Sequence, residues 1–157
     1  MRDRVTYEDC FIRVSIPALD TWRLYEDLRI EDMLESIGLG FHPYKAVTTS
    51  FEHSTKAYTI ISKKDRNIVC SFGVCKSDCS DLGIVWMLGT HRVSDIQNTF
   101  IRHSKTWIKD LMGNYRGLVN VVGEANTASV RWLKWLGADF LREKPKGFRE
   151  FIIYNKD

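Results

Sequence analysis

Apolar and polar residues alternate over "CFIRVSI", from Cys10 to Ile16, as they do along a half-buried strand, and Pro17 stops it. The period then lengthens. Leu19, Trp22, Leu24 and Leu28 fall near helical spacing with polar residues between them. "EDMLESIGLG" reads as a short helix closed by Gly38 or Gly40, and Pro43 opens a further helix in which Val47 and Phe51 are four apart. From Ala57 the period shortens again. "AYTIIS" and "NIVCSFGVCKS" are rich in β-branched and aromatic residues, and "KKDRN" between them has turn chemistry, so the pair predicts a hairpin. "DLGIVWMLGT" is mostly apolar and predicts a central strand.

The second half alternates helices and strands. Ser94 and Gln97 form an S-x-x-Q capping box, followed by one broad face of Ile96, Phe100, Ile101, Trp107, Ile108, Leu111 and Met112. "GNYRG" ends that helix and "LVNVVGE" predicts a strand. Asn126 is a good N-cap for "TASVRWLKWLG", which Gly137 terminates. "ADFLRE" and "FREFIIY" are closing strands joined by "KPKG". The order is β, helices, three β, α, β, α, β, β. It predicts one domain with a mixed α/β sheet and helices packed on it.

Composition narrows the classes without choosing one. A chain of 157 residues that is 44% apolar and 27% charged has the makeup of an ordinary globular domain. The net charge of +3 is too small to argue for nucleic-acid binding. No apolar run approaches the ~20 residues of a membrane span. "MRDRVTYEDC" has no apolar core of a signal peptide, which predicts residence in a cytoplasm or in a particle assembled there. The four cysteines, Cys10, Cys70, Cys75 and Cys79, lack zinc-site spacing and a nearby histidine. They are expected to be buried or half-buried free thiols, and no metal is predicted.

The element order and helix lengths resemble the GNAT acetyltransferase superfamily over nearly the whole chain. In that family the strand matching Ile84 to Leu88 leads into a pyrophosphate-binding loop and a long helix. The next strand and helix carry an N-x-x-A-I-x-x-Y-x-x-x-G-F type pattern. Here the matching residues are Asn126, Ser129, Val130, Leu133, Gly137 and Ala138. The asparagine and glycine agree. Leu133 stands where a tyrosine often acts as general acid. A single-domain GNAT-like fold is implied, with a mixed central sheet, helices on both faces, and a splay between the strands ending near Leu88 and Glu124. "WMLGT" together with "NVVGEANTASVRWLKWLGADF" further resembles GNAT-fold proteins of short-tailed bacteriophages, usually described as internal virion or assembly proteins. That implies a virion interior or host cytoplasm, with virion or host proteins as partners.

The chemistry of the family is less evident than its shape. Its coenzyme loop has the form Q/R-x-x-G-x-G/A, whose backbone amides at a helix N-terminus hold the pyrophosphate. Here "GTHRVSD" has Gly89 and no later glycine before the helix. Asp95, in the first turn, stabilises a helix by roughly 0.3–1 kcal/mol but repels a pyrophosphate. The resemblance implies acetyl-CoA contacts at Leu88, Gly89, Thr90, Arg92, Ser94, Asn126 and Ser129 if the protein is active, and no cofactor otherwise. His91 and Glu124, at strand ends facing the expected cleft, are the candidate bases. His91 reads more readily as a partly exposed loop histidine, since base catalysis needs a placed partner, and Glu124 reads equally as an acceptor for the following helix N-terminus. Tyr115 and Tyr154 are the remaining candidates for an acid. Trp132 and Trp135, interleaved with Arg131 and Lys134, read either as core or as a partner-binding patch. Basic residues among aromatics also suit nucleic acid, an option the small net charge disfavours.

Overall fold

The computed structural model describes residues 4–157. One eight-stranded sheet runs through the molecule in the order β1-β2-β3-β4-β5-β6-β8-β7. Its strands are β1 (Arg4–Thr6), β2 (Cys10–Val14), β3 (Ser54–Ser62), β4 (Ile68–Lys76), β5 (Leu82–Gly89), β6 (Gly117–Gly123), β7 (Asp139–Glu143) and β8 (Phe148–Tyr154). Every neighbouring pair is antiparallel except β5 and β6. The helices are α1 (Pro17–Glu26), α2 (Ile30–Gly38), α3 (Pro43–His53), α4 (Gln97–Met112) and α5 (Thr127–Trp135), with a 3-10 turn at His91–Ile96.

Two apolar layers sit on opposite faces of the sheet. On one, Phe100, Trp107, Ile108 and Leu111 of α4 and Leu133 of α5 pack on Ile60, Phe72, Leu118 and Phe151. On the other, Leu24 of α1 and Val47 and Phe51 of α3 pack on Ile61, Ile68 and Trp86. The predicted mixed sheet with helices on both faces is the observed architecture.

Local signals placed most boundaries. Pro17 and Pro43 each occupy a first helical position. The Asn126 side chain accepts from the Ser129 N–H at 3.4 Å, and Gly137 leaves α5 at φ +85°. Hairpin β3–β4 forms as expected. β1 was not foreseen, because three edge residues are too few to show a period.

Other expectations are corrected. The Ser94 capping box does not form. Thr90 Oγ1 instead accepts from the Arg92 N–H at 3.2 Å and starts the 3-10 turn at His91, while Ser94 Oγ donates to the His91 carbonyl at 2.9 Å. α4 therefore begins at Gln97 without a side-chain cap. Ile101 is 53% exposed, although Ile108 and Met112, which share its side of the helix further along, are buried, so only the later turns of that side are covered. Leu19 and Trp22 of α1 are exposed, leaving Leu24 and Leu28 to the core. Cys10 and Cys70 are buried and Cys75 half-buried, but Cys79 lies exposed in the turn before β5. Burial pushes the Cys10 and Cys70 thiols up to about 12, which makes them inert.

Candidate functional site: a cleft through the sheet

β5 and β6 run side by side for three residues only, Leu82↔Gly117, Gly83↔Leu118 and Ile84↔Val119. In a parallel ladder of this register the next bond runs from the Val121 N–H to the Val85 carbonyl. The side-chain amide of Asn120 replaces it. Its Nδ2 donates to the Val85 carbonyl at 2.5 Å, and its Oδ1 accepts from the Val121 N–H at 2.8 Å. Both backbone groups are satisfied with the strands held apart, so the splay begins at Asn120.

The opening is a cleft of about 210 Å³ that reaches both layers. Phe72, Phe100, Trp107 and Trp132 form an aromatic wall on the α4–α5 side, and Val85, Trp86, Met87 and Leu88 line it from β5. Leu88 and Ser129 are thus at the cleft. Trp132 packs on Phe100 with ring centroids 5.0 Å apart, and its Nε1–H donates to Ser104 Oγ at 3.2 Å.

Helix α2 closes the opposite side with polar residues. Asp32 is buried and receives Arg29 through two bonds, Nε at 2.7 Å and Nη2 at 3.2 Å. Its Oδ2 also accepts the Gly89 N–H at 2.7 Å, while the Arg29 N–H donates to the Gly89 carbonyl at 2.9 Å. Burial pushes the Asp32 carboxyl up, against the pull of Arg29 and the Gly89 amide. One turn later Glu35 Oε1 accepts from the Gly123 N–H at 3.1 Å and from Asn126 Nδ2 at 3.0 Å. Glu35 Oε2 has no hydrogen-bond partner among the described residues. Burial raises the Glu35 carboxyl above the ordinary glutamate value, and the bonds from Asn126 and Gly123 only partly offset it. A half-buried carboxyl with one oxygen pinned and its pKa raised has the features of a general base.

No family model and no curated protein sequence matches the chain. Solved structures do match in shape. The GNAT domain of S. lividans PAT superposes with a TM-score of 0.63 at 12% identity, covering 93% of this chain and 90% of that one. An acetyltransferase of the GNAT family from Bacillus anthracis gives 0.59 at 12% identity, with 98% and 99% covered. A ribosomal-protein-S5-alanine acetyltransferase from Vibrio fischeri gives 0.64 at 12% identity, with 98% and 97% covered. The chain has the GNAT acetyltransferase fold.

In a GNAT fold, the splay and the turn after β5 are where the coenzyme is expected, and the residues there do not fit it. Gly89 is buried in the strand end, and its amide is taken by Asp32. Thr90 is fully buried and donates to the carbonyls of Ile68 and Val69 at 2.9 and 3.0 Å. Arg92 is 8% exposed and bridges Asp27 at 2.9 Å and Asp65 at 2.7 Å, which ties its charge to α1 and to the β3–β4 turn. Ser94 is exposed and bonded within its own turn. Asn126 divides its amide between the α5 cap and Glu35. The turn after β5 is thus a closed structural joint in place of an open nest of amides.

The proposed catalytic pair is not brought together in the cleft. His91 is exposed in the 3-10 turn, and Glu124 is ion-paired with Arg149 at 2.9 Å beside β8. Neither lines the cleft, and neither do Tyr115 and Tyr154. Arg29, Asp32, Glu35 and Asn120 were missed. The only signal for the α2 residues was a polar stripe, Asp32, Glu35 and Ser36, opposite an apolar one, and such a pattern ordinarily puts the polar side in water.

Proposed function

We propose that this protein is a GNAT-fold binding protein with weak or no acetyl-CoA catalysis, acting through partner proteins. The bond from the Gly89 amide to Asp32 carries this reading, because it fills the first anion-binding position after β5 with the protein's own carboxylate. Asp95, exposed in the turn before α4, adds a second negative charge near a phosphate. The partner surface includes Trp135, which is 50% exposed with Lys105 Nζ 4.0 Å from its ring centroid, and the exposed Arg131 beside it. That the partners are virion or host proteins rests on the sequence resemblance to phage proteins alone. Calorimetric titration with acetyl-CoA at near-physiological salt tests the reading, with no saturable heat expected. A low-micromolar dissociation constant, about −8 kcal/mol, would overturn it. Asp95→Asn should then tighten binding.

One observation favours a second reading, an acetyl-CoA-dependent N-acetyltransferase. Glu35 offers an unpartnered oxygen and a raised pKa at the cleft wall, suited to taking a proton from an amine. His91 and Glu124 are the alternative bases in this reading. A transfer assay over a panel of amines decides it: turnover lost in Glu35→Gln with substrate binding retained supports the enzyme, and no turnover with any amine removes it.

A further inference from the structure

The cleft between β5 and β6 is apolar apart from one uncommitted charge. Phe72 stacks on Trp107 with ring centroids 5.7 Å apart, Trp107 meets Phe100 edge-on at 5.6 Å, and Phe100 meets Trp132 at 5.0 Å, so the four rings form one continuous wall. Most polar side chains at the cleft are spent on the protein itself. Asn120 holds Val85 and Val121, Ser104 takes the Trp132 N–H, and Arg29 neutralises Asp32. Glu35 is different. Its Oε1 is fixed by the Gly123 N–H and by Asn126, while its Oε2 has no partner among the described residues. No buried side-chain oxygen among those residues lacks a partner, so Oε2 is open to an incoming group. The strand makes room for this carboxylate, since a Cβ on Gly123 would stand 3.1 Å from Oε1 and 3.3 Å from Cγ. The charged residues lining the cleft are Arg29, Asp32 and Glu35. Arg29 cancels Asp32, which leaves the negative charge of Glu35 to face a ligand.

We infer that the cleft binds a compact apolar amine without any coenzyme, its apolar body against the four-ring wall and its ammonium on Glu35 Oε2. Charge, polarity and size select this ligand. A carboxylate or phosphate meets a like charge at Glu35. An ammonium instead neutralises a half-buried carboxylate and makes a charge-assisted hydrogen bond with it, the stronger kind. The ring faces attract a cation as well, but they offer no hydrogen bonds, so a ligand polar along its whole length loses water there without replacement. Size sets the upper limit. An apolar cavity of about 150 Å³ takes up benzene. The cleft, at about 210 Å³, therefore suits one ring with a short alkyl arm. Sites for drug-sized molecules begin at roughly 300 Å³, which leaves out a nucleotide or a peptide segment. Such a site goes beyond the partner-binding reading and names a substrate class for the acetyltransferase one, on whose Glu35 geometry it rests.

Calorimetric titration of the full chain with 2-phenylethylamine, in the absence of acetyl-CoA, tests the site, and saturable one-to-one binding is expected. 2-Phenylethanol keeps the ring and loses the charge, and ethylamine keeps the charge and loses the ring. Each should bind at least about tenfold more weakly. 3-Phenylpropionate, with the opposite charge, should give no saturable heat. Glu35→Gln keeps an acceptor for Gly123 and Asn126, and it should weaken the amine by about tenfold and remove its advantage over 2-phenylethanol. Binding persists at that lower affinity because the wall remains. A melting curve shows whether the variant folds, and if it does not, the comparison of ligands on the wild type decides alone. No saturable binding of 2-phenylethylamine overturns the inference. So does a folded Glu35→Gln that binds it as the wild type does, or 2-phenylethanol that binds as tightly as the amine. An amine that binds and is not turned over when acetyl-CoA is added leaves this site standing and removes the enzyme reading. Turnover of other amines with no binding of 2-phenylethylamine does the reverse.

Discussion

The side chain of Asn120 stands between two strands and bonds the Val85 carbonyl at the point where the parallel ladder stops. An amide suits this position because it has one donor and one acceptor about as far apart as the backbone groups it replaces. The cleft is therefore built into the hydrogen-bonding of the sheet. Beyond the wedge, Asp32 of α2 accepts the Gly89 amide at the end of β5 and Glu35 accepts the Gly123 amide at the end of β6.

Removing the wedge should be costly for so small a change. Asn120→Ala leaves the Val85 carbonyl and the Val121 N–H without their partner in a half-buried setting. A loss of about 1–3 kcal/mol is expected. Urea denaturation checks it, and a variant within about 0.3 kcal/mol of wild type means that the strands zip together instead and that the amide is not what separates them.

Asp32→Ala should be worse. The side chain is 4% exposed and its partner Arg29 17%, so truncation strands a largely buried guanidinium and a buried Gly89 amide at once. A loss of about 3–5 kcal/mol follows for breaking a buried pair from one side. Denaturant unfolding reads it, and Arg29→Met combined with Asp32→Leu should recover part of the loss, because neither charge then remains without its mate.

The fold was legible and the site was not, for one physical reason. Strand and helix periods, the caps at Asn126 and Gly137, and Pro43 at a helix start are local signals, and they hold in the structure. Asn120 reads in sequence as one polar residue within "LVNVV". Its role depends on Val85, which is 35 positions earlier. Glu35 and Asn126 are separated by 91 positions. Helix α2 defeats the usual rule outright, since Asp32 and Ser36 are buried while Leu34 and Ile37 are exposed. Ser94 misled in a smaller way. A correct capping pattern was pre-empted by Thr90 four residues earlier, which begins a tighter turn.

The Arg92 joint should make stability acid-sensitive. The Asp65 carboxyl is lowered from 3.8 to about 2, first by its bond from Arg92 and then by the Asn67 N–H. A carboxyl depressed in the folded state adds stability that is complete above its unfolded value and is lost as pH falls through the folded one. The window is therefore about pH 4 down to about pH 2. Asp65→Asn should be less stable than wild type at neutral pH, and the difference should close within that window. Thermal melts across the range measure it, and a difference that stays constant down to pH 2 would show that the loss comes from the turn and not from the charge.

The two tryptophans of α5 should separate stability from association. Trp132 is half-buried, packs on Phe100 and bonds Ser104, so Trp132→Ala should cost about 3 kcal/mol by the cavity it leaves and by freeing the buried Ser104 hydroxyl. Trp135, three residues on, is half exposed and touched by the Lys105 ammonium, a contact of about 0.5–1 kcal/mol at such a site. Trp135→Ala should change the unfolding free energy by about that much and no more. If α5 presents a partner surface, the same variant weakens association by ~2 kcal/mol, the usual cost of truncating an interface tryptophan. A Trp135→Ala variant that loses as much stability as Trp132→Ala and still binds its partner would return the indole to the core and leave α5 without an interface.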